Sequence, residues 1–190
     1  MGIEIHDGLE LWKVRLFNPE TMLREGSFYG MTATNYNSPG ANYLLGQYWP
    51  LYRGATFDRI GVSVQSADAG KSMRLGIYAD DDLDGYPDRL VLDAGTVDLD
   101  ATGARTIAIE QHLPAGLYFL ALLTDSGAVS LWMANTPTDW SPLGSGGSPG
   151  LPWFTWKVAQ SYGALPAAFP SGATGMNDAW GVELRVAEVD

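Results

Sequence analysis

The sequence predicts an all-β protein built as a single antiparallel β-sandwich. The clearest evidence lies in residues 74–123, where four short apolar runs are separated by turn residues. Each run is too short for a packed helix and is closed by Gly, Pro or Asp, which is typical of consecutive strands in a sandwich. The second observation is the alternation of apolar and polar residues with a period of two between Thr56 and Val189. The length of 190 residues suits one domain with one hydrophobic core.

The first 50 residues carry a different pattern. Short apolar clusters between residues 3 and 17 have the alternation of one or two strands, and Asn18-Pro19 interrupts them. A stretch rich in Gly, Asn and Tyr from Gly30 to Tyr52 favours extended structure and turns over helix. We therefore predict an N-terminal extension, an arm with the first strands, in residues 1–50 and the sandwich in residues 51–190. The pattern leaves open whether both parts belong to one domain.

The strands of the sandwich follow from local hydrophobic patterns. Ile60, Val62 and Val64 alternate with more polar neighbours, so one face of this strand is apolar. Residues 117–123 are apolar at successive positions, as expected for a central strand that is covered on both faces. The same patterns predict further strands at residues 73–77, 90–92, 107–109, 128–133, 154–160 and 180–189.

The composition argues against several classes of protein. The formal net charge is −11 and the 11 Lys and Arg residues are scattered, whereas nucleic-acid binding needs clustered basic residues. No apolar run is long enough to span a bilayer, and the N-terminus lacks the basic-then-apolar plan of a secretory signal. The absence of cysteine excludes disulfides and thiolate metal sites. The sequence therefore predicts neither nucleic-acid binding nor membrane insertion.

An acidic loop follows the strand at residues 73–77. Asp80, Asp82, Asp84 and Asp88 have the one-three-five-nine spacing that places oxygen ligands around a hard divalent ion, and Gly85 permits a sharp turn. This pattern predicts a Ca²⁺ site. The bidentate carboxylate of an EF-hand is missing, because Val91 stands at position twelve. The alternative is a solvated β-turn, in which Asp and Gly are favoured for backbone reasons and no metal is needed.

Four tryptophans form a second set of candidate binding residues. They lie in and around residues 135–152, which are rich in Pro, Gly and Ser and predict a functional or interface loop. Flat rings beside such a loop could stack on sugar faces or anchor a neighbouring subunit. Alternatively, two of them belong to predicted strands and fill the core, which leaves the other two as ligand contacts. The strand pair is Trp132 and Trp156, and the loop pair is Trp140 and Trp153.

The sequence lacks most of the residue patterns that common catalytic sites require. The chain has two histidines, no cysteine, no Gly-x-Ser-x-Gly elbow and no His-Glu-x-x-His pair. Paired carboxylates could still support glycoside hydrolysis, but sequence spacing cannot test their separation. The carboxylates considered for that role are Asp125, Asp139, Asp178 and Glu183. The sequence therefore predicts a protein that is not an enzyme.

The central strands carry a resemblance. Gly76-Ile77-Tyr78, the acidic turn ending in Gly85-Tyr86-Pro87 and the segment Leu113 to Tyr118 resemble a jelly-roll module of tailed-bacteriophage virion proteins. The similarity spans about residues 56–125, and this chain has more aspartates in the turn than the module. The resemblance implies a jelly-roll-like sandwich with a non-catalytic role in the tail, its fibres or the head surface.

The same resemblance implies partners and a location. The partners are other virion subunits, with the chain as a homo-oligomer, and a host-surface glycan. The protein is then made in the host cytoplasm and resides in the virion. The alternative function is a carbohydrate-binding module that recognises a polysaccharide through its loop tryptophans.

Overall fold

The computed structural model describes residues 28–29, 35–135 and 155–190. These residues form thirteen strands and no helix. The strands are β1 (Phe28–Tyr29), β2 (Asn35–Asn37), β3 (Tyr43–Leu51), β4 (Ala55–Ser66), β5 (Ser72–Ala79), β6 (Arg89–Asp98), β7 (Gly103–Leu113), β8 (Gly116–Thr124), β9 (Ser130–Asn135), β10 (Thr155–Ala159), β11 (Thr174–Met176), β12 (Asp178–Trp180) and β13 (Val182–Val189).

Two antiparallel sheets pack face to face, so the predicted β-sandwich is confirmed. Sheet I has the strand order β11-β10-β3-β8-β5-β6. Sheet II follows the order β1-β13-β4-β9-β12, with β2 paired to β9 and β7 paired to β4. The chain changes sheet repeatedly, for example from β3 to β4 and from β4 to β5, so the two layers are built from interleaved segments rather than from separate halves.

Strand β3 places part of the predicted N-terminal extension, residues 43–50, within the sandwich. It begins at Tyr43, ends at Leu51 and lies between β8 and β10 in sheet I. Strands β1 and β2, also from this part of the chain, pair with β13 and β9 in sheet II. Residues 1–27 and 30–34 of the predicted N-terminal extension lie outside the described residues, as does most of the predicted loop at residues 135–152.

The apolar run in β8 is explained by two cores. Leu120 and Leu122 face the inner core between the two sheets, whereas Phe119 and Leu123 face an outer core on the far side of sheet I. All four side chains are almost fully buried. The prediction that this strand is covered on both faces is therefore confirmed. Strands of sheet II such as β4 keep the period-two pattern, with Ile60, Val62 and Val64 in the inner core.

The outer core exists because a segment without regular strands covers sheet I. We call residues 160–173, between β10 and β11, the strap. Leu165 and Phe169 of the strap are 5% and 6% exposed and pack on β5 and β3 at positions where those strands carry glycine. A Cβ on Gly76 would lie 2.3 Å from Leu165 Cδ1 and 2.5 Å from the Leu92 carbonyl oxygen. The glycine therefore provides the space that the strap occupies.

Backbone carbonyl groups of the strap accept hydrogen bonds from the neighbouring strands. The Tyr78 hydroxyl donates to the Pro166 carbonyl at 2.8 Å, and the Leu90 N–H donates to the Ala167 carbonyl at 2.9 Å. These bonds attach the strap to β5 and β6. No helix among the described residues is long and apolar enough to cross a membrane.

Candidate metal site and exposed aromatic pair

The acidic loop connects β5 to β6, which are the last two strands at one edge of sheet I. The Asp88 N–H donates to the Ala79 carbonyl at 2.8 Å and closes the loop at its base. Leu83 and Gly85 have φ angles of 63° and 84°, in the left-handed region. Gly85 adopts this conformation without a steric cost, which is why glycine suits the turn.

Asp80 is the buried member of the loop. Its side chain accepts hydrogen bonds from the Asp84 N–H at 3.2 Å and from the Gly85 N–H at 3.0 Å, and the residue is only 5% exposed. Burial raises the pKa of Asp80 to about 6, because the charged form loses hydration, and the carboxylates of Asp84 and Asp88 add to this effect. The backbone donors act in the opposite direction and lower the pKa.

Three of the four predicted metal ligands come together. Carboxylate oxygens of Asp80, Asp82 and Asp88 lie within 4.8 Å of one another, so this cluster could hold a metal ion. Asp84 is not a member of that group. One of its carboxylate oxygens instead accepts the Tyr86 N–H at 2.8 Å, which stabilises the turn.

The other charges of the loop are arranged around this cluster. Asp81 forms a two-point ion pair with Arg89, with distances of 2.8 and 3.0 Å between guanidinium nitrogens and carboxylate oxygens. Both side chains are about half exposed, so this pair is screened by water. The Asp81 N–H donates to an Asp88 carboxylate oxygen at 2.8 Å. One arginine thus faces a loop of five carboxylates, and a cation bound at the cluster would reduce their mutual repulsion.

Trp156 packs against the outer core and contacts the acidic loop. Its indole Nε1–H donates to the Gly85 carbonyl at 2.7 Å, and its ring lies 4.8 Å from the Tyr86 ring. The Tyr86 hydroxyl donates to the Pro170 carbonyl of the strap at 2.6 Å. The Phe169 N–H donates to the Asp88 carbonyl at 2.7 Å. Trp156, predicted as a ligand contact or a core residue, therefore joins the outer core and supports the candidate metal site.

Trp132 has the opposite environment. One alternative placed Trp132 in a strand with its side chain in the core. It does lie in β9, but its side chain is 36% exposed. Tyr36 in β2 is its direct cross-strand neighbour and is 56% exposed. The ring centroids are 6.1 Å apart with an angle of 84° between the planes, an edge-to-face contact. Tyr36 was not predicted as a site residue, because only the pairing of β2 with β9 brings the two rings together. Trp140 and Trp153 lie outside the described residues.

The carboxylates considered for glycoside hydrolysis lie on different elements. Asp125 follows β8, where it accepts the Ser72 N–H at 2.8 Å and lies 3.9 Å from the Lys71 ammonium. Asp178 belongs to β12 and Glu183 to β13. Burial raises the pKa of Glu183. Asp139 lies outside the described residues.

The fold and these sites define the class of protein: a β-sandwich whose aspartate cluster, with Asp80 buried, could hold a metal ion, and with an exposed aromatic pair on the outer face of the opposite sheet. Comparison with known proteins adds no narrower assignment. No family model matches the chain, and no curated protein is significantly similar to it.

Proposed function

We propose that this chain is a non-enzymatic structural subunit of a tailed-phage virion, a component of the tail, its fibres or the head surface that also contributes to host attachment. The resemblance that motivates this proposal covers residues 56–125. That segment forms β4 to β8, which supply three adjacent strands of sheet I, including the edge strand β6, and two strands of sheet II.

The open side of the sandwich is the observation that carries the proposal. Among the described residues, β7 pairs with β4 alone, and β6 pairs with β5 apart from one bridge between Arg89 and Ala168 of the strap, so each sheet ends there in an edge strand of ten or eleven residues. Apolar side chains on these two strands are packed against the inner core and are partly exposed, among them Val91, Ile107 and Ile109. A neighbouring subunit on this side would complete their burial, which favours association.

The two edge strands also restrict how a neighbour can bind. The pairing of β6 with β5 has two register shifts, and the pairing of β7 with β4 has one. Such irregularities discourage open-ended strand addition. The proposed contact therefore uses side chains along the open side, as in a closed symmetric oligomer, rather than a continuous sheet.

Light scattering on the purified chain tests the assembly proposal. We expect a stable oligomer, and Ala108→Arg should dissociate it because Ala108 is exposed on β7 and a bulky cation there would be desolvated in the contact. Ala187→Arg is the matched control, since Ala187 is also exposed in sheet II but lies on β13. A wild-type chain that stays monomeric at high micromolar concentration, with no partner bound, would contradict the proposal.

For the metal site we propose Ca²⁺, held by Asp80, Asp82 and Asp88. Calcium takes oxygen ligands in flexible geometry, and the three carboxylates provide oxygens close enough together to share one ion. The loop keeps its shape through its own backbone hydrogen bonds and through Trp156, so little ordering would be required when the ion binds.

Carbohydrate recognition is the second candidate function, and the exposure of Trp132 and Tyr36 favours it. Aromatic rings that are accessible to solvent can stack on the apolar faces of sugars. The flanking residues in β2, Asn35 and Asn37, are exposed and uncharged, and their side-chain oxygens accept backbone N–H groups of the next residues. A neutral glycan is favoured, because a strongly acidic chain disfavours an anionic one.

A glycan array distinguishes this candidate. We expect binding of a neutral polysaccharide that falls about two- to twelvefold in Trp132→Ala, because stacking on a large ring supplies about 0.5–1.5 kcal/mol. Tyr43→Ala is the control, since Tyr43 is also an exposed ring but lies on sheet I beneath the Lys157 ammonium. Silence across a broad array, or equal loss in both variants, would reject carbohydrate recognition at this pair.

A further inference from the structure

Two polar side chains in the core have no hydrogen-bond partner. Gln47 is 1% exposed, and neither its side-chain oxygen nor its side-chain nitrogen is hydrogen-bonded. Trp180 is 2% exposed, and its indole Nε1–H is likewise without a partner. A buried polar group without a partner costs about 1–3 kcal/mol, so such groups in native proteins call for a specific explanation.

Both side chains face the space between the two sheets. Gln47 lies in β3 between Leu45 and Trp49, which belong to the inner core and stand two residues to either side of it. Because alternate residues of a strand share a face, the Gln47 side chain points into the same inter-sheet space. Trp180 is itself a member of the inner core.

The two groups lie at the same end of that space. Gln47 is directly opposite Thr155 in the pairing of β3 with β10, which places their Cβ atoms about 5 Å apart on one face. The Thr155 hydroxyl crosses to the other sheet and donates to the Asp178 carbonyl at 2.6 Å. Trp180 follows Asp178 by two residues in β12. Gln47, Thr155 and Trp180 thus stand on adjoining strands where sheet I meets β12 of sheet II.

We propose that this end of the core is an internal binding site for a small uncharged molecule that both donates and accepts hydrogen bonds, and that water occupies it. The Gln47 side chain offers two donors and an acceptor, and Trp180 offers one donor. A buried water makes about three hydrogen bonds to groups of this kind. The side chains of Gln47, Thr155 and Trp180 are uncharged, so they offer no counter-charge to an ion.

The site has a structural consequence for the sandwich. Sheet I and β12 are joined here by the Thr155 hydroxyl, and the bound molecule adds a second polar connection between the layers. This connection is directional, whereas the surrounding contacts of Leu45 and Trp49 are apolar. The internal site therefore helps to set how the two sheets are aligned at this end.

Solution NMR of the full chain tests this proposal with water itself as the probe. We expect cross-relaxation with a long-lived water at both the Gln47 side-chain amide protons and the Trp180 Hε1 proton. The Trp156 Hε1 proton is the control, because it already donates to the Gly85 carbonyl and should show no such signal. Absence of the signal at either Gln47 or Trp180 in the wild-type protein would overturn the proposal.

A variant provides a second measurement. Gln47→Met keeps the approximate volume but removes the amide, so the water loses partners and the Trp180 signal should disappear. If the variant folds and the Trp180 signal is unchanged, Gln47 does not belong to the site and the proposal fails. The wild-type measurement decides the matter if the variant does not fold.

Discussion

Phe169→Ala is expected to lower the free energy of unfolding by about 3–5 kcal/mol, the usual cost of removing a large buried aromatic side chain. Phe169 is 6% exposed, and its ring makes edge-to-face contacts with Tyr78 at 5.2 Å and Tyr86 at 5.9 Å between centroids. Its ring also lies 3.1 Å from the position of a Cβ on Gly46, so sheet I fits closely beneath it. Urea denaturation measures the loss.

The same substitution should loosen the acidic loop, because the strap and the loop share contacts. Hydrogen exchange is expected to rise in residues 160–173 and in residues 80–88, since the Tyr86 hydroxyl and the Asp88 carbonyl both bond to strap residues. Ser171→Ala is the matched control, because Ser171 is an exposed residue of the strap and should change stability by less than about 0.5 kcal/mol. A small stability loss with unchanged exchange would show that the strap is not a structural cover.

Calcium is expected to abolish the pH dependence that Asp80 imposes on stability. In metal-free protein the pKa of Asp80 is about 6, above its ordinary value of 3.8. The folded state then holds the proton more tightly than the unfolded state. The stabilisation from Asp80 is therefore complete below about pH 4 and is lost as the pH rises through 6, with a size on the order of 2 kcal/mol.

A bound Ca²⁺ favours the carboxylate form, so with calcium this decline should disappear and stability at pH 7 should rise by about 2.7 kcal/mol at a hundredfold excess over Kd. The measurement is a set of urea unfolding curves from pH 4 to pH 7 with saturating calcium and with chelator. Asp80→Asn should remove the pH dependence assigned to this residue, whereas Asp98→Asn, an exposed carboxylate at the end of β6, should preserve it. Identical profiles with calcium and with chelator would rule out the calcium site.

Much of the sandwich was predictable because the local pattern of apolar and polar residues indicates which faces of a strand are buried. The successive apolar residues of β8 predicted a strand buried on both faces, and the alternation at Ile60, Val62 and Val64 predicted a strand with one buried face. The dense aspartates predicted a tight loop, and three of the four proposed ligands come together there. In each case the relevant signal lies within a few consecutive positions.

The strap was not predictable in the same way. Leu165 and Phe169 stand among Pro, Ala and Gly with no regular period, and their burial depends on Gly76 and Gly46 in strands far away in the chain. The contrast between Trp132 and Trp156 has the same origin. Both belong to short strands, but Trp132 faces outward beside Tyr36, whereas Trp156 binds a carbonyl 71 residues away.

By itself, the sequence determined the all-β class, the two-layer arrangement and the position of the acidic loop, because strand periodicity and turn chemistry are local properties of the chain. Only the tertiary structure decided which segment covers sheet I, which aspartates converge, which aromatic rings remain exposed and which core polar groups lack partners. Those features depend on pairings between residues distant in sequence, and a period-two pattern tells which face is buried without telling what buries it.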